Sequence, residues 1–505
     1  MSSHFKVYFK NTIWVTTSKI IKAVVGFWIV PILLNYFGKE EFGLIVLANS
    51  LNVYLTLLNL GLPLGIVKHT AQWLAKNEKI NLTHAIQSSI AFYVVVGFIN
   101  FLVLLIIAFQ GDLYFNISPE LVTGFRKLII VTAISAFFIW PLSIVDQLLQ
   151  GANEIEKLNK IYILGDVTRF IVVLLSIYFK LDLVKFFILY ALLPVGLGLP
   201  LKYLVWKKYL SIKLTIKLKW HWEVFKEVLG FSLGLFIISL AQTSVLHLRP
   251  IILAHRSGIE AASEYRVLFT IINFIFMVAS ISQASLLPIV SKADAIGDEK
   301  TIDKIIYNLT KYSWAILSPV IFGIAITSKE ILSLYVGEAY ISLAPWLSIW
   351  SIALFQLYLG TISSVFIGKG KIRILTYAIP LNAIISLACL WILAPAYRVG
   401  AVPLSRLVFT ILQAVMYHVF FLPKVLKISS VKLIRESFLP PLIVSIIMSG
   451  IILFLDYSDL FWGSDLYVLI EKVFIGIIIY TILLPLFIIK PEEIKKIGKI
   501  IIGTS

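Results

Sequence analysis

The sequence predicts an all-α integral membrane protein of about fourteen transmembrane helices: two six-helix lobes related by a pseudo-twofold axis along the membrane normal, followed by two C-terminal helices. Three observations carry this. Apolar runs of about 20 residues, enough to cross ~30 Å of hydrocarbon at ~1.5 Å per residue, recur from Ile13 to Ile489. The gaps between them alternate between lysine-rich and lysine-poor. One order of landmarks occurs twice, about 220 residues apart.

The apolar runs place spans near 12–36, 42–66, 85–109, 127–150, 160–180, 184–206, 226–250, 262–290, 310–328, 341–367, 372–394, 399–422, 437–455 and 468–489. With 59% hydrophobic and only 14% charged residues, against ~25% charged in water-soluble proteins, the composition excludes a soluble domain. The first span follows Lys6 and Lys10, yet its apolar run exceeds a signal-peptide core and no small-x-small cleavage site follows, so it is read as a retained helix. The sole cysteine, Cys389, falls inside a span, which leaves neither a disulfide framework nor a thiolate metal cluster.

The net charge of +17 would suit nucleic acid if it were clustered on one surface. Instead about 29 Lys and Arg lie in the gaps on the side of the amino terminus and about 7 on the other, the asymmetry of the positive-inside rule. Both chain ends are therefore expected in the cytoplasm, and no nucleic-acid partner is expected. The densest run, Lys202, Lys207, Lys208, Lys213, Lys217, Lys219 and Lys226, is read as a topology signal near anionic headgroups. The opposite gaps are short and include Asp456, Asp459 and Asp465.

Internal repetition organises the spans. Gly38-Lys39-Glu40-Glu41-Phe42-Gly43 leads into a span ending in Leu62-Pro63-Leu64-Gly65-Ile66-Val67-Lys68, then Lys76-Asn77-Glu78-Lys79. Gly258-Ile259-Glu260-Ala261-Ala262 leads into one ending in Leu287-Pro288-Ile289-Val290-Ser291-Lys292, then Gly297-Asp298-Glu299-Lys300. An offset of six spans is even, so both copies enter the membrane in the same direction. The expected parts are residues 1–206 (spans one to six), a basic linker 207–225, residues 226–422 (spans seven to twelve), the appended spans 437–489 and a basic tail 490–505.

At these residues the chain resembles a known family. Tyr36-Phe37-Gly38-Lys39-Glu40-Glu41-Phe42-Gly43-Leu44 with Leu58-Asn59-Leu60-Gly61-Leu62 is similar to the aromatic-x-Gly-x-x-x-aromatic-Gly-Leu … Leu-Gly-Leu signature of bacterial polysaccharide and O-antigen flippases, within the superfamily of multidrug, oligosaccharidyl-lipid and polysaccharide exporters. Leu149-Gln150-Gly151-Ala152-Asn153-Glu154, Leu334-Tyr335-Val336-Gly337-Glu338-Ala339-Tyr340 and Tyr397-Arg398-Val399-Gly400-Ala401 extend the likeness along nearly the whole chain. The resemblance implies a bacterial inner-membrane flippase that carries a polyprenyl-diphosphate-linked oligosaccharide, an O-antigen or capsule repeat unit, from the cytoplasmic to the periplasmic leaflet by alternating access. It implies membrane lipids as neighbours, with a polysaccharide polymerase and chain-length machinery as partners.

A diphosphate bearing about two negative charges needs a cationic, wet route, and a Lys or Arg at bilayer depth costs about 2.5 kcal/mol or more unless it meets water, a partner or an anion. Lys19 and Lys22 are the leading pair: their i, i+3 spacing sets them on one face of span one with Thr12, Thr16 and Gly26. They are read as substrate contacts, with snorkelling of Lys19 to the surface as the alternative. Arg249 and Arg266 are candidates for phosphate oxygens, beside His247 and Glu264, with a Glu264–Arg266 ion pair or a headgroup anchor as the equal alternative. Asn52 and Asn273, with Asn49, Thr56 and Thr270, suit glycan hydroxyls or interhelical hydrogen bonds. Asp146 and Asp166 are candidates for coupling to H⁺ or Na⁺ or for neutralising a base; Arg169, three residues after Asp166, reads as an internal pair and Arg406 as similarly isolated.

No phosphate-cradling Gly-x-x-x-x-Gly-Lys-Ser/Thr loop, His-Glu-x-x-His or cluster of metal ligands occurs, so no catalytic residue, metal or cofactor is expected. A membrane glycosyltransferase or polymerase is disfavoured by the short outer gaps. A multidrug or organic-cation antiporter of the same superfamily is disfavoured by Lys19 and Lys22.

Overall fold

The computed structural model describes residues 3–209, 218–283, 299–369 and 372–488. Those residues are almost entirely helical, and none of them lies in a β-strand. Eleven stretches among them are long and apolar enough to cross a membrane. Two of the eleven are double length: 13–59 has 47 residues and 376–426 has 51, about 70 Å of helix each at ~1.5 Å per residue, more than twice the ~30 Å of hydrocarbon. Each is interrupted where a second crossing is expected to begin. The first has Gly38 at φ 76°, and the second has Arg398 at φ 51°. Span seven, near 226–250, is helical although it is not one of the eleven. Chemistry at the surface fits a lipid solvent: Ile106, Phe109, Phe138, Ile384 and Phe474 are all exposed, while Asn100, Ser88 and Thr410 are buried.

The chain forms two compact units, residues 1–266 and 267–505. In the first, α1 (Ser3–Leu55) is bent at Gly38 and ends in a left-handed turn at Leu60 and Gly61, where Asn59 Oδ1 accepts from the Gly61 amide at 2.9 Å. Then follow α2 (Leu62–Ala75), α3 (Lys79–Tyr114), α4 (Pro119–Leu142), the short α5 (Ile144–Gly151), α6 (Ile155–Tyr178), α7 (Leu183–Tyr209) and α8 (Trp222–Ser257). The turns after α2, α3 and α5 each place an asparagine at positive φ, Asn77, Asn116 and Asn153, the one common non-glycine residue that closes helices this way. α1 packs on α6, α4 and α8, and α6 on α7. The expected lobe boundary at 207–225 and the unit boundary at 266 differ because α8 packs on α1, α2 and α3.

The second unit includes α10 (Thr310–Ile326), α11 (Ser328–Val336), α12 (Ala344–Ile352), α13 (Ile372–Tyr397), α14 (Ala401–Val415), α15 (Leu439–Tyr457) and α16 (Asp465–Phe487), after α9 (Ile259–Gln283), which begins in the first. The two C-terminal helices are fastened to α10 by hydroxyls. Ser445 donates to Ser318 at 2.8 Å, and Tyr480 donates to the Ala315 carbonyl at 2.8 Å. Lys472, 2% exposed, pairs with Glu330 at 2.6 Å and Asp456 at 2.8 Å. Residues 284–298 of the second repeat copy, with Pro288, the basic residues Lys213 and Lys217 and the tail 490–505 lie outside the described residues.

Candidate functional site

The first unit contains a cavity of about 460 Å³ walled by α1, α4 with α5, α6 and α7, within the usual size of ligand sites, ~300–1,000 Å³. Its placement follows from local packing. Asn11 near the start of α1 donates to Asn153 at 2.9 Å and accepts from the Glu156 amide at 3.1 Å, while Lys10 pairs with Glu156 at 2.9 Å. These contacts pin the start of α1 on the start of α6, so Ser18, Lys19 and Lys22, two to three turns later, line the cavity. Gly165 on α6 and Gly198 on α7 hold those helices close: a Cβ at Gly198 would touch Ile161 at 3.4 Å and one at Gly165 would touch Pro194 at 3.8 Å.

Four cations and two carboxylates line this cavity: Lys19, Lys22, Arg169 and Lys202 against Asp146 and Asp166. Arg169 Nη1 donates to Asp166 Oδ1 at 2.9 Å along one helix face. Lys202 Nζ stands 2.6 Å from Asp146 Oδ1, joining α7 to α5. The Tyr162 hydroxyl donates to the other Asp146 oxygen at 3.1 Å, and Lys202 Nζ lies 5.4 Å from the centre of the Tyr162 ring. Lys19 and Lys22 are exposed to the cavity and form no ion pair among the described residues. Two positive charges are therefore left over. They sit on the two lysines that lack a protein counter-charge, in a site also lined by Ser18, Ser143, Asn159 and Tyr162 hydroxyl or amide groups. Such a site suits an anion with two charges and polar substituents.

Five of the ten sequence-predicted site residues thus meet in one place: Lys19, Lys22, Asp146, Asp166 and Arg169. The Asp166–Arg169 pair forms as its spacing suggests. The other five do not line the cavity. Arg249 on α8 is 2% exposed, and its Nε and Nη2 have no hydrogen-bond partner among the described residues. Glu264 and Arg266 are half-buried near the start of α9, where Tyr190 of α7 lies within electrostatic reach of Arg266, Arg169 and Asp166. Asn52 is half-buried on the second limb of α1. Asn273 is exposed and belongs to the second unit.

Lys202 and Tyr162 are the residues that sequence reasoning missed as site groups. Lys202 was absorbed into the basic run, although it lies four residues inside the span 184–206 with Leu201 and Tyr203 beside it, a signal that separates it from Lys207 and Lys208. A second cavity, about 490 Å³ in the second unit, is mostly apolar. Its one cation, Lys472, is already neutralised by Glu330 and Asp456. Among the described residues no group of His, Cys, Asp and Glu is arranged to hold a metal.

Comparisons with known proteins agree on the architecture. The lipid II flippase MurJ in an inward closed conformation superposes with a TM-score of 0.72, covering 93% of this chain and 98% of that one at 16% identity. An inward-facing multidrug resistance MATE family transporter of the MOP superfamily superposes with a TM-score of 0.65 over 78% of this chain and 91% of that one at 12% identity. The eukaryotic MATE transporter AtDTX14 follows at 0.53, over 86% and 99%, at 15% identity. These likenesses show the fold. No curated protein matches by sequence. The profile of the family described as polysaccharide biosynthesis protein matches residues 8–294, more than half of the chain and all of the residues that line the cavity. The chain is a multi-pass membrane protein that shares its fold with these flippase and transporter structures, and it belongs to the polysaccharide biosynthesis protein family.

Proposed function

We propose that this protein is a flippase for a polyprenyl-diphosphate-linked oligosaccharide, an O-antigen or capsule repeat unit, which it carries from the cytoplasmic to the periplasmic leaflet of a bacterial inner membrane by alternating access. The observation that supports this most is the surplus of two positive charges on Lys19 and Lys22 within the cavity of the first unit. A diphosphate diester carries about two negative charges, so its docking would leave the cavity neutral, at a depth where an uncompensated charge is costly. The cavity also opens amide and hydroxyl groups to a glycan. The lysine asymmetry of the gaps supports a cytoplasmic location for both chain ends and for this end of α1, the side on which such a substrate is assembled. The MurJ likeness supports the same reading, because that protein is a lipid II flippase. Transport involves no covalent step, and delivery on the far side would feed a polymerase and its chain-length machinery. An organic-cation antiporter on the same fold would need the opposite sign of charge in this cavity.

The test uses cells lacking the native copy. Lys19→Ala with Lys22→Ala is expected to reduce surface polysaccharide by at least ~100-fold, two lost charge-assisted contacts of about 1.5–3 kcal/mol each, while membrane insertion is unchanged. Surface polysaccharide at the wild-type level would remove these lysines from the route.

A further inference from the structure

Asp146 has no evident reason to be where it is if the cavity only needs positive charge. It stands on α5, the short helix after α4, and reaches Lys202 of α7 at 2.6 Å. Its two oxygens are treated differently. Oδ2 accepts from the Tyr162 hydroxyl at 3.1 Å. Oδ1, the one nearest Lys202, is buried and meets the Lys202 ammonium at 2.6 Å. Lys202 itself is largely buried, its side chain 17% exposed, with the face of Tyr162 as its other neighbour. The carboxylate is therefore anchored from α6, while the ammonium is held at the end of a flexible four-carbon stem by this one ion pair and the Tyr162 ring.

A phosphate group entering from the cavity would present two or more acceptor oxygens to Lys202, where Asp146 presents one, its other oxygen being taken by Tyr162. We propose that Asp146 stands in for the substrate's phosphate when the cavity is empty, and that Lys202 is a third diphosphate ligand which Asp146 releases on substrate entry and takes back on substrate exit. This rests on reading the cavity as a diphosphate site. The exchange keeps Lys202 from being an uncompensated charge at bilayer depth in the empty protein. It also lowers the affinity of the loaded site, because binding must first part an ion pair; a carrier needs binding strong enough to load and weak enough to leave. Lys19 and Lys22 lack such a partner, which makes them the standing attraction and Lys202 the releasable one.

The experiment measures binding of inorganic pyrophosphate and of farnesyl diphosphate to the full-length protein in zwitterionic nanodiscs by calorimetry. Asp146→Asn should tighten both by about tenfold, and Lys202→Gln should weaken both by about tenfold, the scale of one charge-assisted hydrogen bond. The double variant should bind as Lys202→Gln does, because Asp146 acts only through Lys202. Unchanged or weaker binding by Asp146→Asn, or a double variant restored to wild-type affinity, overturns the exchange. If Asp146→Asn does not survive solubilisation, Lys202→Arg and Lys202→Gln decide: retained binding with Arg and weakened binding with Gln support a ligand role, and equal binding by both overturns it. Competition by short-chain phosphatidylglycerol as strong as that by pyrophosphate makes this a lipid-headgroup site and overturns the proposal. A wild-type protein that binds neither diphosphate fails at the underlying reading, whereas wild-type binding with a flat Asp146→Asn response fails at the exchange alone.

Discussion

Asp166 and Arg169 illustrate how much one residue depends on its neighbour in this cavity. Asp166 is 10% exposed at its side chain and accepts from Arg169 three residues on. Substituting Asp166 leaves a guanidinium without its own carboxylate in a cavity that two unpaired lysines also line, whereas substituting Arg169 leaves a carboxylate in that cationic cavity. Asp166→Asn is therefore expected to lower stability by about 1–2 kcal/mol, and Arg169→Gln by less. Thermal unfolding in detergent would check this, and equal losses in the two variants would contradict it. The pair itself was legible from an i, i+3 spacing. The Lys202–Asp146 pair was not, since its members are 56 positions apart on different helices and neither carries a local mark of the other.

Among the elements, the family motifs turn out to be packing devices. Gly38 takes φ 76°, which lets α1 turn from its first crossing to its second. Gly43, five residues on, lies directly against Ile259, and a Cβ there would overlap both the Ile259 side chain and its carbonyl oxygen. Gly43→Leu is expected to cost about 1–3 kcal/mol by forcing α1 away from the start of α9. Reduced expression and a lower melting temperature would report it, and an unchanged melting temperature would show that the contact yields. The Leu149–Glu154 motif works in the same manner, with Gly151 packed on Thr70 and Asn153 bonded to Asn11.

The junction of α3 and α8 makes a pH-dependent claim at this scale. His221, just before α8, stacks on His84 with ring centres 3.7 Å apart and interplanar angle 8°, and its backbone amide donates to Ser88 Oγ at 2.9 Å. Burial, then the neighbouring His84 and Lys219, hold the His221 imidazole below its ordinary value. A histidine with a lowered folded value is favoured neutral in the native state, so its contribution is present above the ordinary value of 6.5 and is lost as pH falls below it. The protection factor of the backbone amides in the first turns of α8, which is the exchange rate corrected for its intrinsic pH dependence, is expected to fall several-fold from pH 7.5 to pH 5.5. His221→Phe keeps the ring and removes the titration, so in that variant the difference between the two pH values should disappear.

For the whole molecule, the proposed diphosphate cargo makes the membrane potential a driving force. Moving two negative charges outward across an inside-negative potential of ~100 mV is favoured by about 4–5 kcal/mol, at ~2.3 kcal/mol per charge. Flipping in proteoliposomes should accelerate when a potassium diffusion potential makes the cytoplasmic side negative, with no H⁺ or Na⁺ gradient imposed. A rate that responds only to an ion gradient would move Asp146 and Asp166 from charge balance to ion coupling.

Amino-acid sequence by itself determined the solvent, the helical class and the family, because each is written in properties that add along the chain: apolar length, lysine asymmetry, and glycines at fixed intervals. It also marked Lys19 and Lys22, since a charge inside an apolar run is costly wherever that run ends up. Only the tertiary structure decided which charges share a cavity. Five of the marked residues converge there with Lys202 and Tyr162, while Arg249, Arg266, Asn52 and Asn273 stand elsewhere. Helix rotation and the close approach of α6 to α7 at Gly165 and Gly198 govern that outcome. Those depend on contacts between residues far apart in the chain, which no local pattern encodes.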